Sequence, residues 1–450
     1  MDKIVYLSSD ILNIMKDFCL CLRVILILLT PTWALAGELP SLKDCFKAAL
    51  KRSEVLATQH ELVVQAEESY HRAWGAILPT VNGSYSYFHQ SGSSFTGSGN
   101  TATSSGQQTL GVMAEQPLFR GFSDFAAVHV AKAFIKAQQQ ARQWAGMQLY
   151  SDVAQAFYTQ LAVQKDLSVL DNELELYQKR IKELQDRLNI GRSRITEVLT
   201  IQSAQAILKA QREQVVGQLE VAKEVLAFLT GLNQDIQLDD TDDVPSAIGS
   251  LVNYQTEVNA RPDIIAAQKN VEAYKSNVSV ARGGYLPNVD LISDYYGERP
   301  DREKNGAWDV EIAVTLPIFT GGITTSKVKT AESQRRESEQ QLSQVQRMAL
   351  ENVRSLYHNL KADLSQLAAL QEAFDISQKN YKANVKDYEL NLVTNLDVLQ
   401  ALTSYQDTQR SLEKMRYQTK IDYNQLEAAV AHRLSMMDDL EKQGTYPRSL

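Results

Sequence analysis

None of the ten prolines in this 450-residue chain falls inside two windows, Phe119 to Val244 and Ile318 to Tyr446, although Pro117 and Pro317 stand at their thresholds. Proline removes a helical hydrogen bond and costs about 3 kcal/mol in a helix interior. Two proline-free stretches of more than a hundred residues, rich in Ala, Gln, Leu, Glu and Lys, therefore predict very long helices. Within the first, Leu170, Leu174, Tyr177, Ile181, Leu184 and Leu188 step alternately by four and three, the spacing of a coiled-coil seam. A second seam runs through Val353, Leu356, Leu360, Leu367, Leu370, Phe374, Tyr381 and Tyr388, interrupted by Asp363, Ser377 and Asn384. At 1.5 Å per residue a helix from Asp124 to Leu188 would span roughly 100 Å, too long for a globule. The periodicity breaks near Gly191 and Asn391 and resumes, so each window is predicted to be two antiparallel helices joined by a tight turn.

The chain is duplicated. Leu78-Pro79-Thr80-Val81 returns as Leu286-Pro287-Asn288-Val289, and Pro117-Leu118-Phe119-Arg120-Gly121 as Pro317-Ile318-Phe319-Thr320-Gly321. Thr196-Glu197-Val198-Leu199 returns as Leu396-Asp397-Val398-Leu399, each pair about 200 residues apart. Helix is expected from Leu42 to about Ile77, then two extended segments, Thr80 to Gln90 and Thr109 to Glu115, around the Ser- and Gly-rich loop Ser91 to Gln108. In the second copy Trp308, Val310, Ile312, Val314 and Leu316 alternate with Asp309, Glu311, Ala313 and Thr315. That period of two puts five apolar side chains on one face and two carboxylates on the other. Its partner is expected at Asn288 to Gly297, across a charged turn from Glu298 to Asn305. The expected layout is thus 37–230 for the first copy, an acidic linker 231–262, 263–435 for the second copy, and a tail 436–450.

At the N-terminus Arg23 precedes the apolar run Val24 to Leu29, and Ala34-Leu35-Ala36 fits a cleavage site, so residues 1–36 read as an export signal. Met15-Lys16 would open a signal of ordinary length, so two starts stay open, Met1 and Met15, the second making 1–14 an upstream start artefact. After cleavage only Cys45 would remain, leaving no disulfide framework. A formal net charge of −8 gives no basic footprint for nucleic acid. The six histidines are scattered, without His-x-x-x-His, Cys-x-x-Cys or a Gly-rich phosphate loop. No catalysis, cofactor or metal is expected, and His129 and His358 read as packing or surface residues.

Four amphipathic strands cannot close a membrane barrel alone, and lipid does not tolerate open edges, so copies would have to pool strands. A half-buried sheet on a soluble core is the plainer reading of one strand; the long helices weigh against it. The duplicated Leu-Pro-x-Val and Pro-[Leu/Ile]-Phe-x-Gly boundaries, Phe228 to Asn233, Arg261-Pro262-Asp263 and the paired Val-Leu helix starts together resemble the TolC-like outer membrane factor family, over about Pro40 to Ser435.

The resemblance implies a mainly α protein with a β-barrel portion: long antiparallel hairpins forming a periplasmic tunnel, and four transmembrane strands per chain in a shared barrel. It implies a homotrimer in the outer membrane of a Gram-negative bacterium, in contact with outer-membrane lipid, docking through its tips onto a periplasmic adaptor coupled to an inner-membrane pump. It assigns Ile190, Gly191, Leu390 and Leu392 to the docking tip, and Glu197, Asp397 and Tyr388 to an entrance constriction, with Tyr388 expected to latch onto Glu197. Trp308, Val310, Ile312, Val314 and Leu316 would face lipid, and Asp309 and Glu311 the lumen. The acids have a simpler reading as helix N-terminal residues that complement the macrodipole. The chain departs from the family at Val393, where a basic residue is usual, and at Gln400, where a second acid would follow; Arg192 and Arg194 are candidate positive partners. Three functions stay open on these grounds: an efflux duct for drugs or toxic solutes, a protein-secretion duct, and an exported coiled-coil scaffold without a pore.

Overall fold

Two helices of 67 residues dominate the computed structural model, α3 at Ser123–Asn189 and α7 at Ile323–Glu389. Each spans about 100 Å. The residues described are 39–89, 106–240, 242–245, 247–298 and 307–432. The export signal, most of the Ser- and Gly-rich loop, the turn residues 299–306 and the tail lie outside them.

Before α3 come α1 at Leu42–Arg52, α2 at Glu54–Gly75, β1 at Thr80–His89 and β2 at Gly106–Arg120. After it α4 returns over Ile195–Thr230, followed by a short α5 at Leu251–Glu257 and a 3-10 turn at Val258–Ala260. The second copy repeats the order as α6 at Pro262–Gly283, β3 at Asn288–Glu298, β4 at Trp308–Thr315, α7, and α8 at Asn395–Ala429.

The single helix expected from Leu42 to Ile77 is two. Ser53 leaves helical geometry at ψ 111 and caps α2 by accepting from the Leu56 N–H at 3.3 Å. A serine hydroxyl competes well for a free helical N–H, and a cap of this kind is worth about 1 kcal/mol. The break lets α1 turn Phe46 into the core, edge-on to Tyr150 at 5.1 Å. There it joins Leu42, Met147, Phe157, Tyr158, Leu226 and Ile421. The predicted seam on α3 is realised, with Leu170, Tyr177 and Leu184 buried against Val198, Ile201, Leu208 and Leu402. On α7, Val353, Leu360 and Tyr388 are buried, while Leu356, Leu367, Leu370, Phe374 and Tyr381 are only half-buried. Segment 231–262 crosses these helices as a strap. Lys420 pairs with Asp240 at 2.6 Å, the Tyr158 hydroxyl donates to Asp242 at 2.7 Å, and Arg261 lies over Trp144 at 4.2 Å.

All four strands form one antiparallel sheet in the order β1-β2-β3-β4, so the two copies join between β2 and β3 and leave β1 and β4 as edges. Register brings Tyr295 opposite Trp308, Ser293 opposite Val310, Leu291 opposite Ile312 and Val289 opposite Val314. Directly opposed residues share a face. The row continues across the sheet as Val81, Ala114, Ser293 and Val310, so one face is predominantly apolar throughout, and its Val81, Val310, Ile312 and Val314 are all exposed. Leu316 is a correction: it is exposed, but β4 ends at Thr315 and Leu316 falls just beyond the register, ahead of Pro317. β2 runs past the expected Thr109 to Glu115 at both ends, and towards its C-terminal end a register shift between Pro117 and Phe119 accommodates the proline. Among the described residues no helix is long and apolar enough to cross a membrane.

Candidate functional site

The two helical hairpins turn in the same way. At the end of α3 the Gly191 N–H donates to the Leu188 carbonyl at 2.9 Å and the Arg192 N–H to the Arg187 carbonyl at 2.8 Å. At the end of α7 the Asn391 N–H donates to Tyr388 at 3.0 Å and the Leu392 N–H to Asp387 at 2.9 Å. This paired closure requires a left-handed residue, which Gly191 supplies at φ 73 and Asn391 at φ 59. The tip residues Ile190, Leu390 and Leu392 are exposed there. Ile195, Leu199 and Leu396 are exposed beside them and escaped the sequence reading, although Ile195 and Leu199 at i, i+4 signal one apolar stripe. No atom lies within 4 Å of where a Gly191 side chain would start, so substitution there costs backbone strain only. Gly191→Val is expected to destabilise the turn by about 1–2 kcal/mol. Limited proteolysis at the turn, compared between the variant and the unsubstituted protein, measures it.

Asp397 realises the simpler helix-terminal reading. Thr394 donates to its carboxylate through the backbone N–H at 2.8 Å and the hydroxyl at 2.6 Å, and the Asp397 N–H returns to the Thr394 hydroxyl at 3.3 Å. The Thr394 hydroxyl holds the Asp397 carboxyl below its ordinary range. At the equivalent place in the first copy Glu197 accepts from the Ser193 hydroxyl at 2.6 Å. Both carboxylates are thereby oriented at the N-terminal ends of α8 and α4, one at each tip.

Tyr388 is 7 % exposed, and its ring faces two guanidiniums of α3, Arg180 at 4.1 Å and Arg187 at 4.6 Å. The expected latch to Glu197 is not the contact these side chains make within the chain: Glu197 is engaged by Ser193, and Tyr388 sits against arginines. Arg180 also donates to the Asn395 Oδ1 of α8 through Nε at 3.1 Å and Nη2 at 3.0 Å, and pairs with Glu183 at 2.6 Å. Glu183 holds Arg187 at 3.1 Å. One guanidinium therefore clamps the first hairpin onto both helices of the second. The sequence signal for it is Arg180, Glu183 and Arg187 at i, i+3, i+7, a charged row running beside the Tyr177 and Leu184 seam. Val393 is half-buried and packs against the tip core, where a basic side chain would have to be desolvated. Gln400, Arg192 and Arg194 are exposed.

On the sheet, Asp309 and Glu311 lie on the face opposite Ile312, Asp309 across from Asp294 and Glu311 across from Ile292. Arg120 of β2 reaches Asp290 at 3.3 Å and Glu115 at 3.4 Å on that face. Among the described residues no cluster of His, Cys, Asp or Glu could hold a metal ion.

Comparison with known proteins follows this architecture. Residues 46–232 and 253–432 match the family model described as outer membrane efflux protein, the two matched stretches falling on the two copies. The outer membrane protein TolC of Vibrio cholerae serotype O1 is 25% identical over 391 residues, covering 83% of this chain and 86% of its own. The cation efflux system protein CusC of Escherichia coli K12 is 24% identical over 309 residues, 64% of each chain. The crystal structure of VceC, an outer membrane protein of Vibrio cholerae, superposes with a TM-score of 0.75 at 20% identity, covering 86% of this chain and 95% of that one. With the duplicated hairpins, the shared sheet and a family match across most of its length, the chain belongs to the outer membrane efflux protein family.

Proposed function

We propose that this chain is the outer-membrane exit duct of a tripartite efflux system, a trimer that passes drugs or other small toxic solutes outward and couples through its tips to a periplasmic adaptor and an inner-membrane pump. The protein resides in the outer membrane and its family consists of channels rather than enzymes. The observation that carries the reading is a four-stranded sheet with two free edges and one predominantly apolar, exposed face, joined to hairpins roughly 100 Å long. Such edges need partner strands in lipid, and further copies of the chain supply them. A cation as cargo is named for the relative CusC, and drugs or small toxic solutes are the substrate class favoured for this chain. Deleting the gene should sensitise the host to several chemically unrelated compounds, with intracellular dye accumulation rising; loss of an exported protein without drug sensitivity would favour the secretion duct.

The constriction is assigned to Glu197 and Asp397, and its closure to the clamp of Arg180 on Tyr388 and Asn395. Both acids occupy equivalent repeat positions, which supports a reading in which they lie at one level of the tips and form a ring of carboxylates that concentrates cations. The double variant Glu197→Gln with Asp397→Asn is expected to lose most of the cation preference in bilayer recordings. Unchanged selectivity would restrict these acids to capping their helices.

A further inference from the structure

Glu173 lies on α3 between Leu170 and Tyr177, in the seam that α3 makes with α8, and is only 7 % exposed. Few carboxylates are buried so deeply without a cation of their own. The charged groups acting on it are Asp166 from its own helix and Asp407 and Arg410 from α8. Arg410 is already engaged, with Nε 2.6 Å and Nη2 2.9 Å from the two carboxylate oxygens of Asp166. On α4, Arg212 is held at 2.6 Å by Asp171 and at 3.1 Å by Glu213. Tyr177, one turn along α3, hydrogen-bonds Thr403 of α8, and among the described residues α7 adds no charge to the cluster. Three carboxylates thus share one guanidinium at the junction of the two hairpins.

We propose that Glu173 is a proton-operated lock on the α3–α8 seam, holding the hairpins together while its carboxyl is neutral and releasing them when it ionises. Its effect on flow rests on the duct reading; its effect on the seam does not. Burial first, then Asp407 and Asp166, push the Glu173 carboxyl up to about 7, against the downward pull of Arg410. In an opened seam the carboxyl meets water and returns to about 4.3. The closed seam therefore binds the proton more tightly. Its advantage is complete below about 4.3 and is lost as pH rises through about 7, so seam opening grows about tenfold per pH unit between those limits and then levels off.

The test uses the assembled protein with Cys19 and Cys21 replaced by serine and spin labels at Asn172→Cys on α3 and Ser404→Cys on α8, both exposed positions. Cys45 is buried, its thiol pushed up to about 12, so labelling goes to the introduced sites. Pulsed electron-spin distances between pH 5 and 8.5 should show a longer population growing about tenfold per unit up to pH 7. Glu173→Gln should keep the short distance at every pH. A wild-type protein without pH response, or a Glu173→Gln variant that still responds, overturns the lock. Should Glu173→Gln fail to assemble, Asp407→Asn decides: removing one repelling carboxylate should move the midpoint to lower pH, and an unmoved midpoint overturns the proposal. Conductance recorded over the same pH range separates the two readings, because a seam that opens while conductance stays flat supports the lock and removes it from the gate.

Discussion

Ile312→Arg is expected to abolish outer-membrane assembly, while Ala313→Arg one residue away leaves most of it intact. Ile312 is 63 % exposed in the centre of β4 and shares its face with Leu291 across the strand pair. If that face meets lipid, a guanidinium near the bilayer midplane costs about 2–4 kcal/mol. Every copy in the barrel carries the same penalty, so it multiplies in a symmetric assembly. Ala313 projects to the other face, directly opposite Asp290. An arginine there meets a carboxylate, and opposed charges across a strand pair contribute about 0.2–1 kcal/mol in favour. Immunoblots of outer-membrane fractions, with and without heating, measure assembled protein. Equal yields from the two variants would mean that the two faces are assigned the wrong way or that neither faces lipid.

Arg180→Ala should leave the duct assembled and open at rest. The variant removes two charge-assisted hydrogen bonds to Asn395, each worth about 1.5–3 kcal/mol, and a cation–π contact to Tyr388 worth about 2 kcal/mol when desolvated. These terms overlap, because they hold one side chain. A net loss of about 2–4 kcal/mol per chain shifts the open-to-closed ratio roughly 30- to 1000-fold. Arg180→Lys retains the charge without the planar fork and should fall between the two. The same geometry changes what is expected at Tyr388: its ring face makes the contact, so Tyr388→Phe should stay closed and Tyr388→Leu should leak. Resting conductance in planar bilayers and entry of a large hydrophilic antibiotic report the result. An Arg180→Ala channel with wild-type resting conductance would place the closing contact elsewhere.

With membership of the efflux family, the scaffold without a pore falls away, and the choice between solute efflux and protein secretion passes to the partners.

The sequence by itself determined what depends on neighbours along the chain. Missing prolines set the helix lengths, Gly191 and Asn391 marked the turns, and the alternation from Trp308 to Val314 assigned the faces of β4. In each case the cause is local backbone geometry, a period of 3.5 or 2, or a residue that tolerates positive φ. Ser53 was legible in principle as a cap, yet propensity alone could not choose between continuing the helix and breaking it; burial of Phe46 against Tyr150 did. The tertiary structure alone decided which partners the charged residues take. Arg180 and Tyr388 are 208 positions apart and meet only because the second hairpin docks against the first. Glu173 reads on the sequence as one more acid on a polar helix, and becomes a buried titrating group only when α8 brings Asp407 and Arg410 against it. Lateral docking of two hairpins of nearly equal length leaves no periodic trace in either, because many registers would satisfy the same apolar seams.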